Sequence, residues 1–86
     1  MRSLTTRRFR DTYATLPVEV RRQARRAWKL FERDPHHPSL KFKKVEGTSN
    51  VYSARVGLGY RAIGSMEGPL IVWTWIGHHS EYDQMY

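Results

Sequence analysis

The hydrophobic pattern of this 86-residue chain predicts an α+β fold. Two N-terminal helices pack on a small, mainly antiparallel sheet of about four strands, followed by a short C-terminal tail. Two observations carry this reading. Apolar residues up to about Arg33 recur with a helical period, whereas those beyond Leu40 alternate with a period of two. Glycine-rich turns also separate the alternating runs, so neighbouring strands join as a meander. Helices first and strands afterwards give helices segregated to one face of a sheet.

Phe9, Tyr13 and Leu16 fall at i, i+4 and i+7 and predict a short first helix. Pro17 suits the first turn of a second helix, where its missing N–H costs nothing. In that helix, from Pro17 to about Arg33, Val20, Ala24, Ala27, Trp28 and Phe31 keep one apolar face. Arg21, Arg22, Arg25, Arg26, Lys29 and Arg33 occupy much of the remainder. Asp34-Pro35 ends the helix, because proline disfavours helical geometry in the residue before it, and His36-His37-Pro38 forms a stiff connection.

Strands are expected at Leu40 and Phe42 with their alternating lysines, then at Val51–Val56, Tyr60–Met66 and Leu70–Ile76. Gly57-Leu58-Gly59 and Glu67-Gly68-Pro69 supply the turns. In the last strand strict alternation puts Ile71, Trp73 and Trp75 on one face and Leu70, Val72 and Ile76 on the other. Both faces are then apolar, which predicts an interior strand with both tryptophans in the core. The tail, His78 to Tyr86, is expected to form one short helical turn beside the sheet edge.

A hydrophobic content of 40% with 13% aromatics supports a packed core, and residues 1–86 read as a single domain without repeats or linkers. The absence of cysteine excludes disulfides and thiolate zinc sites and fits a reducing, cytoplasmic setting. The longest apolar run, Leu70 to Ile76, is far shorter than a membrane span, and the basic residues are dispersed, so no membrane partner is expected. A net charge of +7 on so small a surface creates a field attractive to polyanions. Nucleic acid or an acidic protein is the partner class this implies.

Several stretches together resemble the RelE/ParE superfamily of type II toxin–antitoxin toxins. They are Leu16-Pro17, Asp34 to Leu40, Tyr52 to Val56, Tyr60 to Ile63, and Trp75 to Asp83. The resemblance covers most of the chain. Met1 to Thr6 departs from it, matching poorly the first strand that many members place before the helices. The superfamily contains ribosome-associated mRNA endonucleases similar to RelE and DNA gyrase poisons similar to ParE, normally held by a cognate antitoxin. The resemblance therefore implies a metal-independent mRNA endoribonuclease acting with the ribosome, with a non-enzymatic gyrase blocker or a silent binding module as the alternatives. A cognate antitoxin is the implied protein partner, and no cofactor is implied.

Metal-free RNA cleavage needs a base for the ribose 2′-OH, cations for the charged phosphorane and an acid for the leaving oxygen. Arg55 and Arg61 lie either side of the Gly57-Leu58-Gly59 turn, where hairpin pairing brings both guanidinium groups to one face. The same pair would also suit ion bridges to Glu46, Glu81 or Asp83. Lys41 and Lys43, alternating with Leu40 and Phe42, form with Lys44 either a substrate-guiding strip or a lysine-protected edge strand. His78, His79 and Tyr82 follow the last strand and offer acid, base or stacking groups. Of these, His79 and Tyr82 best match the superfamily's C-terminal pattern. Arg55, Arg61, His79 and Tyr82 are thus the catalytic candidates, with Lys41, Lys43, Lys44 and His78 as substrate-binding ones. His36 and His37 lack the spacing and carboxylate of a zinc site, so no metal is expected. The basic run Arg21, Arg22, Arg25 and Arg26 fits RNA, an acidic antitoxin or a plain solvated face.

Overall fold

The computed structural model describes residues 1–86. In chain order it contains β1 (Arg2–Thr5), α1 (Arg7–Ala14), α2 (Val18–Arg33), a short 3-10 turn (Pro38–Leu40), β2 (Lys43–Lys44), β3 (Val51–Val56), β4 (Tyr60–Glu67), β5 (Leu70–His78) and α3 (His79–Met85). The strands form one five-stranded sheet in the order β1-β5-β4-β3-β2. All neighbours are antiparallel except β1 and β5, which run parallel. The α+β class, the two N-terminal helices and the antiparallel meander are as the sequence predicts.

Local chemistry sets the helix ends. Thr6 caps α1, its hydroxyl accepting the Phe9 N–H at 3.2 Å. α2 follows Pro17 and stops at Asp34, which takes an extended conformation before Pro35. Phe9 of α1 and Ala24, Ala27, Trp28 and Phe31 of α2 meet Ala54, Val56, Ala62, Trp73 and Ile76 of the sheet. Both helices therefore cover one face, and alternation sends Arg55 and Arg61 to the other. No helix is long and apolar enough to cross a membrane.

Four features correct the sequence reading. First, Arg2–Thr5 is a strand, with Ser3 opposite Ile71 and Thr5 opposite Trp73. Its one large apolar residue, Leu4, is exposed, so the segment carries no alternating signal of its own. Main-chain bonding to the open edge of β5 makes it a strand, reinforced by the Thr6 N–H donating to the Trp73 carbonyl at 3.0 Å.

Second, Leu40 to Phe42 is not a strand. Pro38 opens a 3-10 turn, the His37 imidazole accepts the Ser39 N–H, and only Lys43 and Lys44 pair with β3. Leu40 enters the core and Phe42 stacks on Tyr52 at 5.0 Å.

Third, the faces of β5 are not those of strict alternation. Gly64 pairs with Trp73 and Ile63 with Trp75, leaving Thr74 as an extra residue. This bulge switches the phase. Ile71, Trp73 and Ile76 join the helix-facing core, while Trp75 lies with Ile63 on the opposite face. β5 is nevertheless interior, flanked by β1 and β4.

Fourth, the tail forms a seven-residue helix, α3. Its N-terminus is capped by the His78 imidazole, which accepts the Ser80 N–H at 3.2 Å.

Ile71 has no solvent exposure and sits where β1, β4 and β5 meet the core. Replacing it with alanine removes the transfer energy of the side chain and leaves a cavity. Ile71→Ala should lower unfolding free energy by about 2–5 kcal/mol in urea titration, with little change in the slope.

Candidate active site

The site begins at the turn between β3 and β4. Gly57 and Gly59 adopt φ of +58° and +82°, which L side chains rarely tolerate, and the resulting reversal places Arg55 directly opposite Arg61. The Gly59 carbonyl accepts the His79 N–H at 2.7 Å, fastening the start of α3 to the turn. From the other side comes Lys41, just past the 3-10 turn, in the left-handed region at φ 45°. It is the one non-glycine residue with positive φ, a conformation costing on the order of 1–3 kcal/mol.

These segments enclose an open concavity of about 210 Å³ lined by Lys41, Arg55, Gly59, Tyr60, Arg61 and His79. No carboxylate lines it. The ion pairs of the protein are Arg7–Asp11, Arg22–Glu19 and His79–Asp83, so neither Arg55 nor Arg61 bridges to Glu46, Glu81 or Asp83. Arg55 donates Nε–H to the Gly57 carbonyl at 3.2 Å. The Arg61 guanidinium lies over the Tyr82 ring, 5.2 Å from its centroid. Its Nη1 is buried and finds no hydrogen-bond acceptor in the protein. An unpartnered buried donor of this kind costs about 1–3 kcal/mol, or more for a charged group.

Of the residues singled out from the sequence, Lys41, Arg55, Arg61 and His79 come together here. Tyr82 is absent from the lining and touches the site only through the Arg61 guanidinium that lies over its ring. His79 Nδ1 lies 3.6 Å from Asp83 Oδ2, one helical turn further on. His78 is outside the concavity, bonded through Nδ1 to Ser80 Oγ at 2.9 Å and packed edge-on against Tyr60. Lys43 and Lys44 also lie outside, on β2, and Lys44 Nζ donates to the Thr48 carbonyl at 2.7 Å. Sequence reasoning missed Tyr60. Its position between Gly59 of the turn and Arg61 was the available signal. Three cations, an imidazole and a phenol around one opening can bind a phosphodiester and move protons at it.

A three-helix, five-stranded α+β fold with a cationic cleft at the hairpin end defines a small, strongly basic protein. The chain belongs to the family described as ParE-like toxin domain, whose model matches residues 18–84, and so to the RelE/ParE toxins. Among solved structures it is similar to the RelB–RelE antitoxin–toxin complex from Methanococcus jannaschii. That match has 20% identity and a TM-score of 0.78 over 96% of this chain and 98% of that one. The toxin–antitoxin complex RelBE2 from Mycobacterium tuberculosis matches with 20% identity and a TM-score of 0.72 over 90% and 95%. The isolated Escherichia coli RelE toxin matches with 16% identity and a TM-score of 0.69 over 98% and 96%. At these identities the likeness is one of fold. No curated protein matches the sequence.

Two measurements test the geometry. Lys41→Gly should raise unfolding free energy by about 1 kcal/mol in urea, because glycine accepts the left-handed backbone, whereas Lys41→Ala keeps the strain and should give no gain. A double-mutant cycle between Tyr82→Ala and Arg61→Ala should return a coupling of about 0.5–1 kcal/mol, and Tyr82→Phe should retain most of it.

Proposed function

We propose that this toxin is a metal-independent endoribonuclease that cleaves mRNA at the ribosome, in the cytoplasm, and that a cognate antitoxin holds it in check. The observation that carries the reading is the concavity in which Lys41, Arg55, Arg61 and His79 converge with no carboxylate among them. A cluster of cations without a carboxylate repels a divalent metal and attracts a phosphodiester. The antitoxin is supported by the relatives from M. jannaschii and M. tuberculosis, which are toxin–antitoxin complexes.

In the proposed reaction, the His79 imidazole takes the proton from a ribose 2′-OH, and O2′ bonds to phosphorus while the P–O5′ bond breaks. Arg55 and Arg61 hold the non-bridging oxygens as their charge increases. The Lys41 ammonium supplies a proton to O5′. The products are a 2′,3′-cyclic phosphate and a 5′-hydroxyl, and neither an oxidant nor a second substrate is needed. Proton transfer of this kind contributes roughly 10²–10⁴-fold and each positioned charge on the order of 10²–10³-fold.

A second reading, a non-enzymatic toxin that blocks DNA gyrase, has in its favour the ParE-like description of the matched family. Induced expression with primer-extension mapping of mRNA 5′ ends separates the two. New 5′ ends should appear with the wild type and fall at least about a hundredfold in Arg55→Ala, Arg61→Ala and His79→Ala. Growth arrest without new ends, undiminished in His79→Ala, would favour gyrase.

A further inference from the structure

The cationic cleft is not an isolated feature. Arg55 also lines a second concavity of about 480 Å³, which it shares with Gln23, Arg26 and Leu30 of α2 and with the β3–β4 turn. This is possible because β2 pairs only with Tyr52 and Ser53, leaving the edge of β3 open at Arg55. Arg26 in turn lines a third concavity of about 210 Å³, whose other residues are Arg22, Arg25 and Lys29. Each opening is thus joined to the next by one arginine.

On α2, Arg22, Arg26 and Lys29 fall at i, i+4 and i+7, one exposed stripe about 10 Å long. Arg22 is offset by Glu19 at 2.8 Å, and Arg25 donates to the Tyr13 hydroxyl at 2.8 Å. Arg26 and Lys29 have no carboxylate partner. A basic helix face of this kind is commonly a solvated surface. What sets this one apart is its physical continuity with the phosphate-reading cleft.

We propose that the α2 ridge is the outer part of a single-stranded RNA track, in which Arg22, Arg26 and Lys29 hold backbone phosphates several nucleotides away from the cleft, with Arg55 as the junction. The ridge contributes length-dependent affinity without touching the scissile bond. This rests on the RNA reading of the cleft and assigns its substrate an extended footprint.

The test measures fluorescence anisotropy with 2′-O-methyl RNAs of about four and about twelve nucleotides, which bind without being cut. It compares wild type, the triple variant Arg22→Ala/Arg26→Ala/Lys29→Ala, and Arg61→Ala. Removing three phosphate contacts should reduce the slope of log affinity against log salt by about 2 for the long RNA. The wild type's loss of affinity between about 50 and 200 mM salt should then exceed the triple variant's by roughly 20-fold, and the two should bind the short RNA equally. Arg61→Ala should weaken both RNAs. If the triple variant matches wild type on the long RNA, the ridge is a solvated face and the track is wrong. Equal weakening on both RNAs would mean a diffuse field and would overturn it too. Should the triple variant bind RNA normally but lose affinity for an acidic helical peptide, the ridge serves a protein partner instead. If wild type binds neither RNA, the track is overturned, while the reading of the cleft is decided separately by the mapping of mRNA 5′ ends.

Discussion

Arg55 stands directly opposite Arg61 in the β3–β4 ladder, so two like charges face each other across adjacent strands. Such a pair opposes hairpin formation by a few tenths to about 1 kcal/mol. What holds it is the other face of the same strands, where Ala54, Val56 and Ala62 are buried against α2. Burial of these side chains, roughly 0.8 kcal/mol for each alanine methyl and about 1.5–3 kcal/mol for the valine, outweighs the repulsion. The cleft thus depends on a register imposed by the core behind it, and a one-residue slip of either strand would turn that strand's guanidinium group inward.

Other unfavourable features gather at the same place. Lys41 keeps a left-handed backbone, and Arg61 keeps a buried nitrogen without an acceptor. Together they represent a few kcal/mol that the rest of the fold absorbs. The supports are local: the Tyr82 ring under the Arg61 guanidinium and the Gly59 carbonyl bonded to His79 N–H. Charges held by such supports are oriented in advance, which is the condition for preorganised electrostatic stabilisation.

α2 has two roles that its 16 residues keep apart by phase. Val20, Ala24 and Phe31 face the core, while Arg22, Arg26 and Lys29 face solvent. Its core face fixes the sheet's position, and its outer face extends positive potential from the cleft across the molecule. The open edge of β3 beyond the two-residue β2 connects them, letting Arg55 reach both the cleft and the helix.

Periodicity by itself determined the fold class, both N-terminal helices, the β3–β5 meander and the pairing of Arg55 with Arg61. These follow from local rules, namely which residues alternate, which turn, and which end a helix. Tertiary structure alone decided the remainder. Arg2–Thr5 became a strand because β5 offers it an open edge, a bonding opportunity that its own side chains do not encode. The Thr74 bulge moved Trp75 away from Trp73, because one extra residue shifts every side chain beyond it and leaves no mark in composition. Lys41 left Lys43 and joined Arg55 and Arg61 once the 3-10 turn replaced an expected strand. Tyr60 entered the lining through the same long-range convergence. Backbone pairing and close packing act between segments far apart in the chain, so the sequence named the charged groups, and the folded sheet chose which of them meet.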